Sequence, residues 1–201
     1  VNATPLRIVV LASGEGSNLQ AIIDSLHGRG AVEIAGVGSD KPGCRALGRA
    51  EDAGIATRVF AAAEFAGDRD ARDQAMADWI DATGAELVVL AGYMQLLSPG
   101  FVQRFARRVI NVHPSLLPAF PGLKAIEQAV EAGADTTGVT IHFVDEQVDH
   151  GPVIEQREVP IERSSDGVAD LDALAQRIHA VEHDLLPRTI AQIAAGRLSV
   201  G

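Results

Sequence analysis

A single cysteine, Cys44, leaves the chain without an internal disulfide, so the cross-linked framework of a small secreted domain is excluded. One thiol also gives no cysteine pair at metal-ligand spacing, and Cys44 reads as a small packing residue in a reducing compartment. No apolar run is long enough to span a bilayer, and Val1 to Pro5 lack the layout of a signal peptide. The expectation is a cytoplasmic protein. Positive charge is scarce, with 17 Lys plus Arg against 27 Asp plus Glu and a formal net charge of −10. That balance works against general binding to nucleic acid or to anionic membranes, so neither is an expected partner. A small anionic substrate would need a specific cradle. Internal repeats, low-complexity tracts and long flexible linkers are missing too. What is there, 201 residues of 47% hydrophobic content, suffices to bury a substantial core as one domain over 1–201.

Strand-like runs alternate with helix-forming segments, which predicts an α/β fold. Leu6–Ala12 reads as a strand, followed by a turn with Gly14 and Gly16 and a helix over Leu19–Leu26. Val32–Ser39 is the second strand, Cys44–Ala53 a helix stopped by Gly54, and Thr57–Phe60 a short third strand. Arg69–Thr83 reads as a helix with Ala71, Ala75, Met76, Trp79 and Ile80 among its apolar positions, Trp79 being expected in the core. Leu87–Ala91 is apolar on both faces, as in the middle of a covered parallel sheet. Ser98-Pro99 has the form of a cap and first helical residue for the segment through Phe105. After a helix over Lys124–Glu131, Gly138–Val144 and Val153–Ile161 alternate with period two and form an antiparallel hairpin. Val168–Ala195 is helical, with Pro187 expected to kink or divide it. Together these predict a Rossmann-like, mostly parallel sheet flanked by helices, with an antiparallel extension in the carboxyl-terminal half.

The chemistry concentrates where the strand Arg108-Val109-Ile110 runs into Asn111-Val112-His113-Pro114-Ser115-Leu116-Leu117-Pro118. Two residues apart on a strand, Asn111 and His113 project from one face. An amide that donates to a developing oxyanion beside an imidazole that moves a proton suits acyl transfer. Asp149, in the loop between the two hairpin strands, is the candidate carboxylate to orient His113 and favour its charged form. At the first turn, Gly16, Ser17 and Asn18 open a helix whose N–H groups can hold a phosphate. The rival there is a dinucleotide site with Asp40 as the ribose acid, which Leu19 in the third glycine's place weakens. His179 and Glu182 share a helical face and could reach one ligand, or they are solvated surface. A metal site drawn from His113, His142, Asp145, Asp149 and His150 lacks specifying spacing, and no metal is expected. His142 is read as support for the site or the sheet.

The opening Ser13-Gly14-Glu15-Gly16-Ser17-Asn18-Leu19-Gln20, the run Asn111 to Pro118, and Asp149 with Gly151-Pro152-Val153-Ile154 resemble, in that order, the phosphoribosylglycinamide (glycinamide ribonucleotide) formyltransferases, a folate-dependent family. The likeness covers nearly the whole chain. It implies transfer of the formyl group of 10-formyltetrahydrofolate, a co-substrate, to the primary amine of glycinamide ribonucleotide in purine biosynthesis, without a metal. It further implies that Asn111 and protonated His113 stabilise the tetrahedral intermediate, supported by Asp149. Gly16, Ser17, Asn18, His179 and Glu182 would then hold the ribonucleotide. Arg69, Met94, Gln95, Leu96, Leu97, Asn111, Val144, Asp145, Glu146, Gln147, Val148 and Asp149 would hold the folate, its pterin ring at Met94 to Leu97. Without the resemblance, Met94, Leu96 and Leu97 read as ordinary core and Arg69 as a solvated cation. A formyltetrahydrofolate hydrolase, which shares the Asn-His-Asp trio, and a non-catalytic nucleotide- or folate-binding regulator are the alternatives. His150 stands where some relatives carry a small residue such as Gly. The sequence is silent on oligomeric state, and a homodimer is compatible with it.

Overall fold

The computed structural model describes residues 4–199. Strands β1 (Leu6–Leu11), β2 (Val32–Ser39), β3 (Thr57–Val59), β4 (Leu87–Leu90), β5 (Val109–His113), β6 (Thr136–Phe143) and β7 (Val153–Pro160) make one sheet in the order β3-β2-β1-β4-β5-β6-β7. The first five pair in parallel, whereas β6 runs antiparallel to β5 and β7 antiparallel to β6. Helices α1 (Ser17–Leu26), α2 (Arg45–Asp52), α3 (Arg69–Thr83), α4 (Pro99–Arg104), α5 (Ala125–Glu131) and α6 (Leu171–Ala194) complete the layers.

Alternating residues of the central strands feed two cores, which is why these strands read as continuous apolar runs. Ile8, Val10, Leu87, Val89, Ile110 and Val112 pack with Leu19 and Ile22 of α1 and with Ile178, Leu185 and Ile190 of α6. Val9, Leu11, Val88, Leu90 and Val109 face Met76, Ala77 and Ile80 of α3 and Phe101 and Phe105. Chain order reverses between β1 and β4, which lie side by side. Such a switch point opens a crevice beyond the strands' carboxyl ends. Because β1, β4 and β5 are consecutive and parallel, the segments that follow them emerge together there.

Two expectations are corrected. Pro187 does not divide the last helix, since α6 continues through it from Leu171 to Ala194. The lost N–H bond is offset by burial of Leu185, Leu186, Pro187, Thr189 and Ile190, which tie both halves to the same core. Trp79 lies at the margin of its core, partly buried, with its ring 5.5 Å from that of Phe60. On α3 the interior is shared instead by Arg72 and Asp73.

Pairing of β6 with β7 depends on Gly138. A Cβ there would stand 2.2 Å from the Arg157 carbonyl oxygen and 2.6 Å from Leu116. Backbone cannot yield as a flexible side chain can, so Gly138→Ala is expected to cost about 1–3 kcal/mol, the usual range for overpacking. Urea unfolding at neutral pH measures it.

Candidate active site

The antiparallel register of β5 and β6 sets Asn111 opposite His142 and His113 opposite Thr140. Ile110 and Val112 point the other way, into the core, so Asn111 and His113 share the remaining face. From Asn111 the side-chain Nδ2 lies 3.2 Å from His142 Nε2 and donates to Asp149 Oδ1 at 3.4 Å. Asp149 Oδ2 accepts the Gly122 backbone N–H at 2.8 Å and lies 3.3 Å from His113 Nδ1. Asp149 Oδ1 is also 3.5 Å from His142 Nε2. Asn111, His113 and Asp149 therefore meet, with His142 as a fourth member.

Local backbone delivers the carboxylate. Asp149 has φ 51°, a left-handed conformation that Asp tolerates better than most residues. Two residues on, a Cβ at Gly151 would stand 1.9 Å from the Phe143 carbonyl oxygen, so the loop folds back only with glycine there. Burial pushes the Asp149 carboxyl up, but hydrogen bonds from His142 and the Gly122 N–H, and the charge of His113, outweigh it and hold the group below its ordinary value.

Hydrogen-bond accounting constrains the rings. His113 Nε2 is 2.9 Å from the Phe120 carbonyl oxygen, so the ring faces a carbonyl on one nitrogen and a carboxylate on the other. Only the doubly protonated imidazolium donates to both. His142 Nδ1 meets the Phe143 carbonyl at 2.8 Å, which leaves its Nε2 to accept from Asn111 or, when protonated, to donate to Asp149. The site thus combines an imidazole beside a carboxylate, an amide donor and an acceptor. Such a set stabilises an oxyanion and moves a proton. The Asn111 contacts are long enough to exchange for a ligand atom.

At the opening of α1, Gly16 is the N-cap with φ 71°, and no side chain caps the helix. A Cβ on Gly16 would stand 2.7 Å from Ala46, so α2 packs where a side chain would be. The N–H groups of the first turn are left for an anion. Asn18 Nδ2 donates to Glu182 Oε2 of α6 at 3.0 Å, while Asn18 Oδ1 is buried with no partner among the described residues. Burial raises the Glu182 carboxyl, opposed by the Asn18 hydrogen bond and by nearby His179. His179 is exposed, its ring stacked 6.3 Å from His183. These groups suit a ligand bearing an anion and hydroxyls. Asp40 is not placed for a dinucleotide ribose, because it is buried against Ser13 and Gln95.

After β4, Met94 and Leu96 are 57% and 60% exposed. They are therefore not core, and their uncovered apolar surface calls for a partner. With Arg69, Arg72, Gln95 and Ala62 they line an open depression of about 340 Å³. Leu97 is partly buried, and the Gln95 side chain turns inward to Asp40 and Arg72. In the loop before Asp149, the Val144 N–H bonds to the Val109 carbonyl and Asp145 pairs with His150 at 3.0 Å. Glu146 accepts from Gln103, Gln147 N–H bonds to Asp145, and Val148 is exposed. Sequence reasoning missed Arg72 and Asp73, although positions 72, 73, 76, 77 and 80 share one helical face with the core. The Gly122 N–H and Phe120 carbonyl gave no sequence signal.

The model of the formyl transferase family matches residues 6–190. The chain belongs to the formyl transferase family. It is 43% identical to the phosphoribosylglycinamide formyltransferase of Escherichia coli (strain K12) over 198 residues, 97% of this chain and 90% of that one. It is also 43% identical over 193 residues, 94% of this chain, to the trifunctional purine biosynthetic protein adenosine-3 of Drosophila melanogaster, of whose length it spans 14%. In structure it resembles glycinamide ribonucleotide transformylase 1 from Symbiobacterium toebii, with a TM-score of 0.91 at 42% identity, covering 99% of this chain and 92% of that one. The predicted fold class stands: a mostly parallel sheet with antiparallel carboxyl-terminal strands, flanked by helices.

In this formyl transferase the depressed Asp149 carboxyl makes stability depend on acid. Its contribution is fully present above the unfolded value of about 3.9 and is lost as pH falls through the lower folded value. Asp149→Asn removes that dependence. Urea unfolding from about pH 5 to about pH 2 is expected to show a shallower loss of stability in the variant than in the parent.

Proposed function

We propose that this chain transfers the formyl group of 10-formyltetrahydrofolate to the primary amine of glycinamide ribonucleotide, giving formylglycinamide ribonucleotide in de novo purine biosynthesis. The observation that carries the reading is the meeting of Asn111 and His113 of β5 with Asp149 of the β6–β7 loop, on the same edge of the sheet as the segments that follow β1 and β4. The start of α1, with Gly16, Ser17 and Asn18, takes the phosphate, and Glu182 with His179 takes the ribose side. The exposed apolar surface of Met94 and Leu96, with Leu97 and the backbone of Gln95, whose side chain is turned inward, takes the pterin. Arg69 and the loop Val144, Asp145, Glu146, Gln147, Val148 take the rest of the folate. Residues 1–201 act as one domain in the cytoplasm, and no described helix is long and apolar enough to cross a membrane.

The amine attacks the formyl carbon and the carbonyl becomes an oxyanion. Asn111 donates its amide N–H to that oxygen. The Nδ1 of His113 faces Asp149, so the ring's Nε2–H is the one that meets the oxyanion, exchanging the Phe120 carbonyl for it. Asp149 keeps the imidazolium charged and accepts the amine proton, directly or through water. Collapse expels the folate nitrogen, which takes up a proton, and the formyl group stays on the amine. Well-oriented reactant pairs reach effective molarities of about 10⁵–10⁸ M, so holding both substrates is itself a large part of catalysis.

A steady-state assay with 10-formyltetrahydrofolate, with and without glycinamide ribonucleotide, tests this. Formylated ribonucleotide is expected only when the ribonucleotide is present. Formate released independently of it identifies a hydrolase, and unchanged formylfolate identifies a binding protein. Asp149→Asn is expected to lower kcat by about 10²–10⁴-fold, the range for a general base, with substrate binding largely kept. Hydroxyls that donate to Glu182 favour its charged form, so ribonucleotide binding below neutral pH is expected to release a proton. Calorimetry in buffers of different ionisation enthalpy measures that release, and Glu182→Gln is expected to lower it, the phosphate's own proton making up the remainder.

A further inference from the structure

A chain of side chains, buried except for the half-buried Gln95, joins the segment after β1 to the segment after β4. The Met94 backbone N–H donates to Ser13 Oγ at 2.8 Å, and Ser13 Oγ donates to Asp40 Oδ1. The other oxygen of Asp40 accepts from Gln95 Nε2 at 2.9 Å. Gln95 Oε1 accepts from Arg72 Nη1 at 3.2 Å, and Arg72 Nη2 donates to the Leu96 carbonyl at 3.1 Å. Arg72 is paired with Asp73, whose second oxygen accepts the Ser98 N–H. Asp40, Arg72 and Asp73 are 9%, 3% and 0% exposed.

The chain has a direction. A carboxylate on one side and a guanidinium on the other allow the Gln95 amide a single orientation. Groups this well buried hold their geometry, because an unmatched donor or acceptor there loses its full solvation.

We propose that Asp40 and Gln95, anchored by the Arg72–Asp73 pair, are positioning residues that hold the pterin-side segment in register with the phosphate-side turn, and so set how the two substrates meet. This rests on the formyl-transfer reading above. Asp40 bonds neither to the start of α1 nor to Met94 and Leu96. It acts through Ser13 on one and through Gln95 on the other.

The direction supplies the test. In Asp40→Asn, one amide oxygen replaces two acceptors. Either its N–H faces the Gln95 N–H, or, turned over, its N–H faces Ser13 Oγ and leaves that hydroxyl without its acceptor, while turning Gln95 over brings its N–H against Arg72. In Gln95→Glu, two carboxylates face one another. In the double variant Asp40→Asn/Gln95→Glu every donor again meets an acceptor. The amide introduced at position 40 accepts the Ser13 hydroxyl through its oxygen and donates its N–H to the carboxylate introduced at position 95, which also accepts from Arg72. Kinetics of formyl transfer are measured on the folded fraction of each protein, with urea midpoints recorded. Each single variant is expected to lose about 10–100-fold in kcat while the KM for each substrate moves less than about threefold, as for misaligned reactants. The double variant is expected to return to within about threefold of the parent, a coupling that independent sites do not show. Singles that turn over like the parent, singles that lose only stability, or a double variant no better than the worse single overturn the relay. A parent with no ribonucleotide-dependent transfer removes the formyl-transfer reading and the relay with it. An active parent with uncoupled variants removes the relay alone.

Discussion

The pairing of β6 antiparallel to β5 is the constraint from which the cluster of Asn111, His113, His142 and Asp149 follows. β6 begins beyond the level of His113 and runs back to end with Phe143 opposite Ile110, so the loop that follows it starts beside the end of β5. By reversing, β6 sets His142 opposite Asn111 and lets the loop that follows fold over β5 to bring Asp149 against His113. Gly138 keeps β7 in contact with β6, and Gly151 lets the loop pass the Phe143 carbonyl. One change of strand direction turns a sheet that binds ligands at its edge into one that also carries a carboxylate beside an imidazole.

The two cradles solve different electrostatic problems within one acidic chain. A net charge of −10 repels phosphate at long range. In the proposed function that repulsion is met at α1 by oriented backbone N–H groups, which Gly16 exposes by allowing close packing against Ala46. The other cradle leaves Met94 and Leu96 exposed. Their backbone is pinned from beneath by Arg72, Asp73 and Gln95, so polar bonds fix the segment while its apolar atoms stay at the surface.

Much of this was legible in the sequence. The continuous apolar run of β4 required burial on both faces, and the spacing of Asn111 and His113 required a common face. Gly16 before a helix marked the start of α1, which the structure leaves without a side-chain cap. The meeting of Asp149 with His113 was inferred from the chemistry it would serve and from family resemblance, because a loop's path is set by tertiary contacts. Arg72 and Asp73 were overlooked for a physical reason. Charged residues are seldom buried, so their place on the core-facing stripe of α3 was outweighed by their polarity. Pro187 misled for the opposite reason, since its local cost is real but small against the burial around it.

Where the buried charge sits completes the picture. Asp40, Arg72, Asp73, His113, His142 and Glu182 are the acidic, basic and imidazole side chains buried among the described residues. Each belongs to the cluster at β5, to the α1–α6 contact, or to the links beneath Met94 and Leu96. A buried ion pair such as Arg72–Asp73 is often no more stabilising than well-packed apolar residues of similar volume. Stability alone therefore does not account for this distribution. The two apolar cores that hold the sheet consist of ordinary aliphatic and aromatic packing, and the costly groups gather where ligands must be oriented. Orientation is what a buried, fully matched polar network supplies and a fluid apolar contact does not.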